Sequence, residues 1–356
     1  MANPFLFSVI GLDISDESFK YLRLDKHKDE QDVTFFGEEP LAKGIIDAGE
    51  IKDEVALGEA LKRIQNFGGK KKLRDPYLIL SLPEEKGFLR LIRTQRIPLG
   101  ELRQALEFQL EEHIPFPPAD LYFDYQVLDL AERSRPTMDV VVTAYPKATV
   151  ESYMNAVQKA GFLPLVFELE SQAIARAVVP RNTKGVFLVG DLGKTRTTFS
   201  IVSEGTVNFT STVKVGGRDI DAILMNALQL TPEQAKEVKF GRGFDAMSED
   251  IIKSLTPALV ALKDEADRQI GFWERRYPER DPVSRVYLCG GDALLHGLPE
   301  FLAQELRIPV ERARIWENIF NLEKQIPSIT ARETMRYATT FGLALRGGDI
   351  VSLNIV

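Results

Sequence analysis

Phe7-Ser8-Val9-Ile10-Gly11-Leu12-Asp13-Ile14 is an apolar run that ends on an acid and enters the polar turn Ser15-Asp16-Glu17-Ser18. The plan recurs at Val186-Phe187-Leu188-Val189-Gly190-Asp191-Leu192, which enters Gly193-Lys194-Thr195-Arg196-Thr197. A second apolar run follows each turn, at 19–24 and at 199–202. Each pair of runs reads as a β-hairpin with a carboxylate at the end of its first strand. Two such hairpins far apart point to a duplicated α/β domain with a cleft between its halves. Turns of this kind in a cleft hold nucleotide phosphates and their Mg²⁺.

The remaining sequence bounds this reading. At 356 residues the chain is long enough for two cores. Hydrophobic residues at 44% and charged residues at 27% are ordinary for a soluble globular protein. A net charge of −7 argues against nucleic acid as the main ligand. The basic run Lys70-Lys71-Lys72 with Arg74 reads as a solvated loop. One cysteine, Cys289, excludes a disulfide framework and a cysteine metal site, and it ends the apolar strand 286–289 as a buried thiol. No stretch approaches the roughly 20 apolar residues of a membrane span. The three histidines, His27, His113 and His296, have no metal-ligand spacing. Neither a G-x-S-x-G elbow nor a P-loop occurs, which removes hydrolase triads and P-loop enzymes.

Strands fill 5–38, a helix 54–67 closes on Gly68, and a buried strand spans 77–82. An inserted region follows, with a strand at 88–93, a helix from 99, and strands at 122–128 and 140–144. Its helix is stopped by Ile114-Pro115-Phe116-Pro117-Pro118, because proline lacks the amide donor and clashes with the preceding turn. A helix 148–160, a strand 163–167 and a helix 171–179 complete the first half. The second half repeats the plan: a meander over 186–215, a helix 219–230, a helical region 232–277, a strand 285–289, a helix 293–305 and a strand at Val310. The last helix, 331–345, is read as ending at Gly347-Gly348, with 349–356 a strand-like tail. The boundaries are 1–83 with 147–181 and 331–356 for the first half, 84–146 for the insertion, and 182–330 for the second half, whose helical part is 232–283. This order lacks the regular β-α alternation of a dinucleotide fold.

Gly11-Leu12-Asp13-Ile14-Ser15-Asp16-Glu17-Ser18-Phe19-Lys20 is similar to the first phosphate loop of the PilM family of type IV pilus assembly proteins, members of the actin-like ATPase superfamily with FtsA. Glu111-Glu112-His113-Ile114-Pro115-Phe116-Pro117 and Asp124-Tyr125-Gln126-Val127-Leu128 resemble that family's own insertion. Asp191-Leu192-Gly193-Lys194-Thr195-Arg196-Thr197 resembles the second phosphate loop, and Gly216-Gly217-Arg218-Asp219-Ile220-Asp221 the G-G motif that opens a helix. The segment 233–239 resembles a helix over the base, and Leu288-Cys289-Gly290-Gly291-Asp292-Ala293 the adenosine motif. The resemblance implies an α/β, actin-like (ribonuclease-H-like) fold with duplicated domains around a nucleotide cleft and an FtsA/PilM-type inserted subdomain.

An ATP site of this class needs turned backbone amides, carboxylates for hydrated Mg²⁺, and glycines where backbone meets nucleoside. Asp13 and Asp191 take the Mg²⁺ role. Gly193, Gly216, Gly217, Gly290 and Gly291 supply backbone, and Thr195 and Thr197 hydroxyls. The resemblance adds Ser15, Asp16, Lys20, Lys239 and Asp292 as nucleotide contacts. Ser15 stands where the family has glycine and faces a left-handed angle that only glycine takes freely. Asp16 and Glu17 add negative charge beside a triphosphate. Lys194 and Arg196 are cations that bind phosphate or pair with those acids. Hydrolysis would need a residue to orient water, and Glu170 is a weak candidate. The expectation is an ATP and Mg²⁺ cleft with weak catalysis at most.

By the same resemblance, the insertion docks the N-terminal cytoplasmic tail of a PilN-type inner-membrane protein. Phe88, Ile114, Phe116, Leu121, Tyr122 and Tyr125 are the expected wall. The expected role is a cytoplasmic scaffold of a pilus or related secretion platform. It is peripheral to the inner membrane through its partner, meets other platform and motor proteins, forms a homo-oligomer, and neither binds nucleic acid nor inserts in the membrane. The alternatives are an active ATPase or sugar-type kinase, for which no general base is evident, and an FtsA-like filament former. FtsA normally ends in a basic amphipathic helix that this C-terminus lacks. Residues 349–356 loosely resemble the bound tail and are expected either to fill the groove or to finish the first half as a strand.

Overall fold

The hairpins expected from the repeated runs anchor two sheets with the same strand order. In this computed structural model, residues 9–27, 30–66, 76–128, 136–181, 183–242, 249–323 and 326–352 are described. The basic run at 70–74, Gly68 and the tail 353–356 lie outside the described residues. Contacts divide the chain into unit 1, residues 1–173 and 339–356, and unit 2, residues 174–338.

In unit 1, β1 (Ile10–Ile14), β2 (Ser18–His27) and β3 (Glu30–Pro40) form an antiparallel meander that sets Asp13 opposite Lys20. A small hairpin, β4 (Ile46–Asp47) and β5 (Glu50–Ile51), leads to α1 (Glu54–Asn66) and then β6 (Tyr77–Leu82), parallel to β1. The inserted region has β7 (Phe88–Gln95), α2 (Leu99–His113), β8 (Leu121–Val127) and β9 (Thr137–Pro146). Its three strands are antiparallel in the order β7-β9-β8. Ile114 takes extended angles before Pro115 and ends α2, as the steric rule for residues before proline requires. Next come α3 (Lys147–Lys159), β10 (Leu163–Leu169) parallel to β6, and α4 (Glu170–Val178). The main sheet runs β10-β6-β1-β2-β3.

Unit 2 repeats the scheme. Its meander is β11 (Val186–Leu192), β12 (Thr197–Ser203) and β13 (Thr206–Val213). Three helical segments follow: α5 (Gly217–Leu228), α6 (Pro232–Glu237) with a π-helical turn at Val238–Arg242, and α7 (Glu249–Arg276). Then come β14 (Val283–Cys289), a 3-10 turn at Gly291–Leu294, α8 (Leu298–Leu306), β15 (Val310–Arg312), α9 (Ile315–Ile319) and α10 (Ala331–Arg336). The order β13-β12-β11-β14-β15 matches β3-β2-β1-β6-β10 strand for strand. All of β12 is buried, and all of β11 but Asp191. The nearly continuous apolar run of β11 is the pattern of a strand covered on both faces, and the Thr and Ser residues of β12 are buried beside it. Trp273 of α7 is fully buried, and its indole N–H donates to the Asp281 carbonyl at 3.0 Å, which removes the cost of burying that proton.

Two helix readings are corrected. The helix expected at 293–305 is the 3-10 turn plus α8, separated at Gly297, whose φ of +81° no helix interior accepts. The helix expected to stop at Gly347-Gly348 instead runs on as α11 (Ala338–Ser352), so residues 349–352 are helical and not a strand-like tail. Of the two, Gly347 serves packing. A Cβ on Gly347 would stand 2.8 Å from the Val9 Cβ, and one on Gly11 of β1 would stand 2.5 Å from the Thr340 carbonyl oxygen of α11. Helix and strand approach closely enough that residue size, and not helix termination, selects glycine.

Candidate functional site

Within unit 1, the first turn is closed on itself. The Ser15 amide donates to the Ser18 carbonyl at 2.9 Å, and the Ser15 hydroxyl donates to the same oxygen at 2.8 Å. Ser15 is not among the described non-glycine residues with positive φ, so the turn makes no demand for glycine there. Asp16 points at the β4–β5 turn. Its two carboxylate oxygens accept from the amides of Gly49 at 2.9 Å and Ala48 at 3.2 Å. Both turn residues have positive φ, 72° and 47°, a conformation that presents successive amides to one anion. The acid expected to repel a triphosphate is thus already solvated by backbone. Asp13 accepts from the Ser81 hydroxyl at 2.9 Å. Lys20 lies 3.9 Å from Glu38. Glu170 opens α4. Burial raises the pKa of the Tyr153 hydroxyl, and the charges of Glu170, Glu85, Asp16 and Asp13 push the same way. These four acids therefore lie toward one buried phenol, which itself donates to the Gly49 carbonyl at 3.2 Å.

Within unit 2, the second turn seats on the start of α5. The Gly217 amide donates to the Gly193 carbonyl at 3.0 Å, and the Arg218 amide to the Lys194 carbonyl at 2.8 Å. A Cβ on Gly216 would stand 2.6 Å from the Arg196 nitrogen, so glycine is required for that seat. The Gly216 amide donates to the Asp219 carboxylate at 2.9 Å, and the Asp219 amide donates back to the Gly216 carbonyl at 3.1 Å. Thr195 is exposed on the turn, whereas Thr197 is buried and donates to the Val215 carbonyl at 2.8 Å. Asp191 accepts weakly from the buried Cys289 thiol at 3.7 Å. Burial, reinforced by the Asp191 charge, pushes that thiol's pKa well up, so it is inert as expected of a strand-end cysteine. Gly290 has φ +86°, and a Cβ there would meet Asp191 and the Leu192 carbonyl. A Cβ on Gly291 would come no nearer than 3.5 Å to its neighbour, the Arg336 side chain.

Lys239, carried by the π-helical turn, is 1% exposed. Its ammonium reaches the carboxylates of Asp292 at 2.6 Å and Asp221 at 2.8 Å, and the Gly217 carbonyl at 2.9 Å. Burial raises the Asp292 pKa, and Lys239 opposes that rise. Asp221 is a contact that the sequence reading misses. Its position four residues after Gly217, on the same face of α5, is the available signal.

The structure therefore brings Gly193, Thr195, Gly216, Gly217, Lys239 and Asp292 together in unit 2. As a fit for a nucleotide, glycines line close approaches and a buried cation is present, but every contact just described is spent within the protein. Among the described residues, no group of three or more His, Cys, Asp and Glu side chains is placed to hold a metal ion.

On the insertion, two of the expected wall residues prove to be core. Ile114 and Leu121 are each 4% exposed and pack with Leu102, Leu106, Leu110 and Val140. For Leu121 the reason is strand alternation: Leu121, Phe123, Tyr125 and Val127 of β8 face inward, while Tyr122 and Asp124 face out; Ile114, at the end of α2, joins the same core as that helix's leucines. Phe116 and Tyr122 are exposed, at 39% and 47%. Phe88 packs on the core and meets Phe116 edge-on at 5.7 Å.

The sequence profile of the family described as type IV pilus assembly protein PilM matches residues 11–348. The chain belongs to this family. Solved relatives agree on the fold. The chain superposes on a structure described as "PilM-PilN type IV pilus biogenesis complex" with a TM-score of 0.79 at 24% identity, covering 96% of this chain and 98% of that one. It superposes on MreB5 of Spiroplasma citri bound to AMPPNP with a TM-score of 0.57 at 13% identity, covering 98% of both. The cell shape-determining protein Mbl of Bacillus cereus is 29% identical over a stretch covering 35% of this chain. That stretch is 46% of Mbl, so the chain matches about half the length of this curated relative. The fold of this PilM-family chain is the actin-like ATPase fold. None of the helices among the described residues is long and apolar enough to cross a membrane.

Proposed function

We propose that the chain is a docking scaffold of a type IV pilus assembly platform. In this reading its inserted subdomain receives the cytoplasmic tail of a PilN-type inner-membrane protein. The observation that carries the reading is that Phe116 and Tyr122 are exposed beside the sheet of the insertion, whose helix α2 also leaves Leu99 and Phe108 exposed. Strands β7 and β8 stand at the two edges of its sheet. An extended tail gains main-chain hydrogen bonds at such an edge and uses aromatic pockets for alternate side chains. The partner named in the complex of the solved relative supports the choice of tail. The chain would then sit on the cytoplasmic side of the inner membrane through that partner.

Phe116→Glu places a charge at the wall without emptying the core, since Ile114 and the α2 leucines carry the packing. We expect the dissociation constant of a labelled PilN-type N-terminal peptide, read by fluorescence anisotropy, to rise at least about tenfold, the equivalent of about 1.4 kcal/mol. The melting temperature should stay unchanged. Unaltered affinity would remove Phe116 from the wall.

A second reading concerns ATP. In it Gly193, Thr195, Gly216, Gly217, Lys239, Gly290 and Gly291 hold the nucleotide, and Asp13 and Asp191 hold hydrated Mg²⁺. The cleft is degenerate: Asp16 is spent on the β4–β5 turn, and Lys239 on two carboxylates. The AMPPNP-bound MreB5 relative supports an inherited nucleotide cleft. Glu170 is the candidate for orienting a water, and the nucleotide role in this reading is conformational.

A further inference from the structure

Three elements of unit 2 meet at one ammonium. They are the first turn of α5, the π-helical turn Val238–Arg242 and the 3-10 turn Gly291–Leu294. An ammonium has three protons, and Lys239 has three acceptors within 3.0 Å: Asp292, Asp221 and the Gly217 carbonyl. The trio of side chains carries one positive and two negative charges. The Asp292 carboxylate also occupies the space that a Cβ on residue 217 would fill, so its seat exists because position 217 is glycine. The side chain of Asp292 is 14% exposed. One carboxylate thus covers the backbone of Gly217 and neutralises the buried cation at once.

We propose that Asp292 is a built-in competitor for nucleotide. Its carboxylate must leave Lys239 and Gly217 before an incoming ligand can use either. The inference rests on the ATP reading above and sharpens it by naming the residue that sets affinity. The physical basis is an equilibrium. A ligand that needs the open arrangement has its apparent affinity reduced by the fraction of molecules that are open. Closed-to-open preference of about ten to one weakens binding about tenfold. A carboxylate is a strong occupant of this seat because it satisfies a buried cation that would otherwise be costly.

The test is a titration of the full chain with a fluorescent ATP analogue and Mg²⁺, beside thermal unfolding with and without nucleotide. Asp292→Ala is expected to bind the analogue at least about tenfold more tightly than the parent chain. It should melt lower without nucleotide and gain more from it. Asp292→Asn keeps the volume and loses the charge, and is expected to fall between the two; it also serves if the alanine chain does not fold. Equal or weaker binding by folded variants overturns the competitor and leaves the ATP reading standing, with Asp292 a bystander or a ligand contact. Absence of binding by parent and variants at millimolar analogue overturns both.

Discussion

Replacing Gly342 by alanine is expected to unfold unit 1 at markedly lower denaturant, while the same change at Gly348, six residues along α11, is expected to do no harm. A Cβ on Gly342 would overlap the Ala173 carbonyl oxygen and carbon of α4. The obstacle is backbone, which no rotamer change can clear. Neighbours Phe341, Leu343 and Ala173 are fully buried, so the two helices have no slack to separate. Overpacking of a tight core costs about 1–3 kcal/mol and occasionally more, and a backbone clash belongs at the upper end, about 3 kcal/mol. Gly348 is exposed, and a Cβ there would meet nothing within 4 Å. There alanine removes the entropic penalty of helical glycine and should stabilise by about 0.5–1 kcal/mol. Urea midpoints for the two variants decide the matter. Equal tolerance at both positions would mean that α11 does not hold β1 and α4 as closely as the glycines indicate.

The same helix shows what is legible in the sequence and what is not. Both hairpins, with Asp13 and Asp191 at matching strand ends, follow from alternation and turn residues, because those signals are local. The stop at Pro115 is legible for the same reason. Gly347-Gly348 misleads because a glycine pair signals termination only when nothing packs on it, and Val9 does, more than three hundred residues away in sequence. Ile114 and Leu121 are legible as apolar but not as inward; the phase of β8 fixes that for Leu121, and the end of α2 fixes it for Ile114. Asp16 looks like a repulsive charge because its partners, Ala48 and Gly49, are more than thirty residues distant and donate through backbone, which carries no side-chain signature. Lys239 and Asp292 stand out through resemblance, yet their mutual contact does not. It depends on the π-helical turn, whose extra residue per turn changes which face a side chain occupies.

That contact also yields the larger stability effect in unit 2. Lys239→Ala is expected to destabilise the unit by about 3 kcal/mol, the lower end of the range for breaking a buried pair. The lower end applies because Asp221 is 24% exposed and recovers some water, whereas Asp292 at 14% recovers less. Three acceptors lose one shared donor: two carboxylates that repel each other and the Gly217 carbonyl. For a unit of this size, about 1 kcal/mol corresponds to about 2–4 °C, so the calorimetric transition of unit 2 should fall by roughly 6–12 °C. Asp292→Leu combined with Lys239→Met removes opposite charges together and fills the space with apolar volume. Replacing a buried pair in this way is often neutral, so the double variant should recover much of the loss. The interaction energy from the cycle of Lys239→Met, Asp292→Leu and their double variant then measures the pair itself. A single variant that melts within about 1–2 °C of the parent chain, well short of the expected fall, would show that water already relieves these charges, and that Lys239 is less essential to unit 2 than its three short contacts imply.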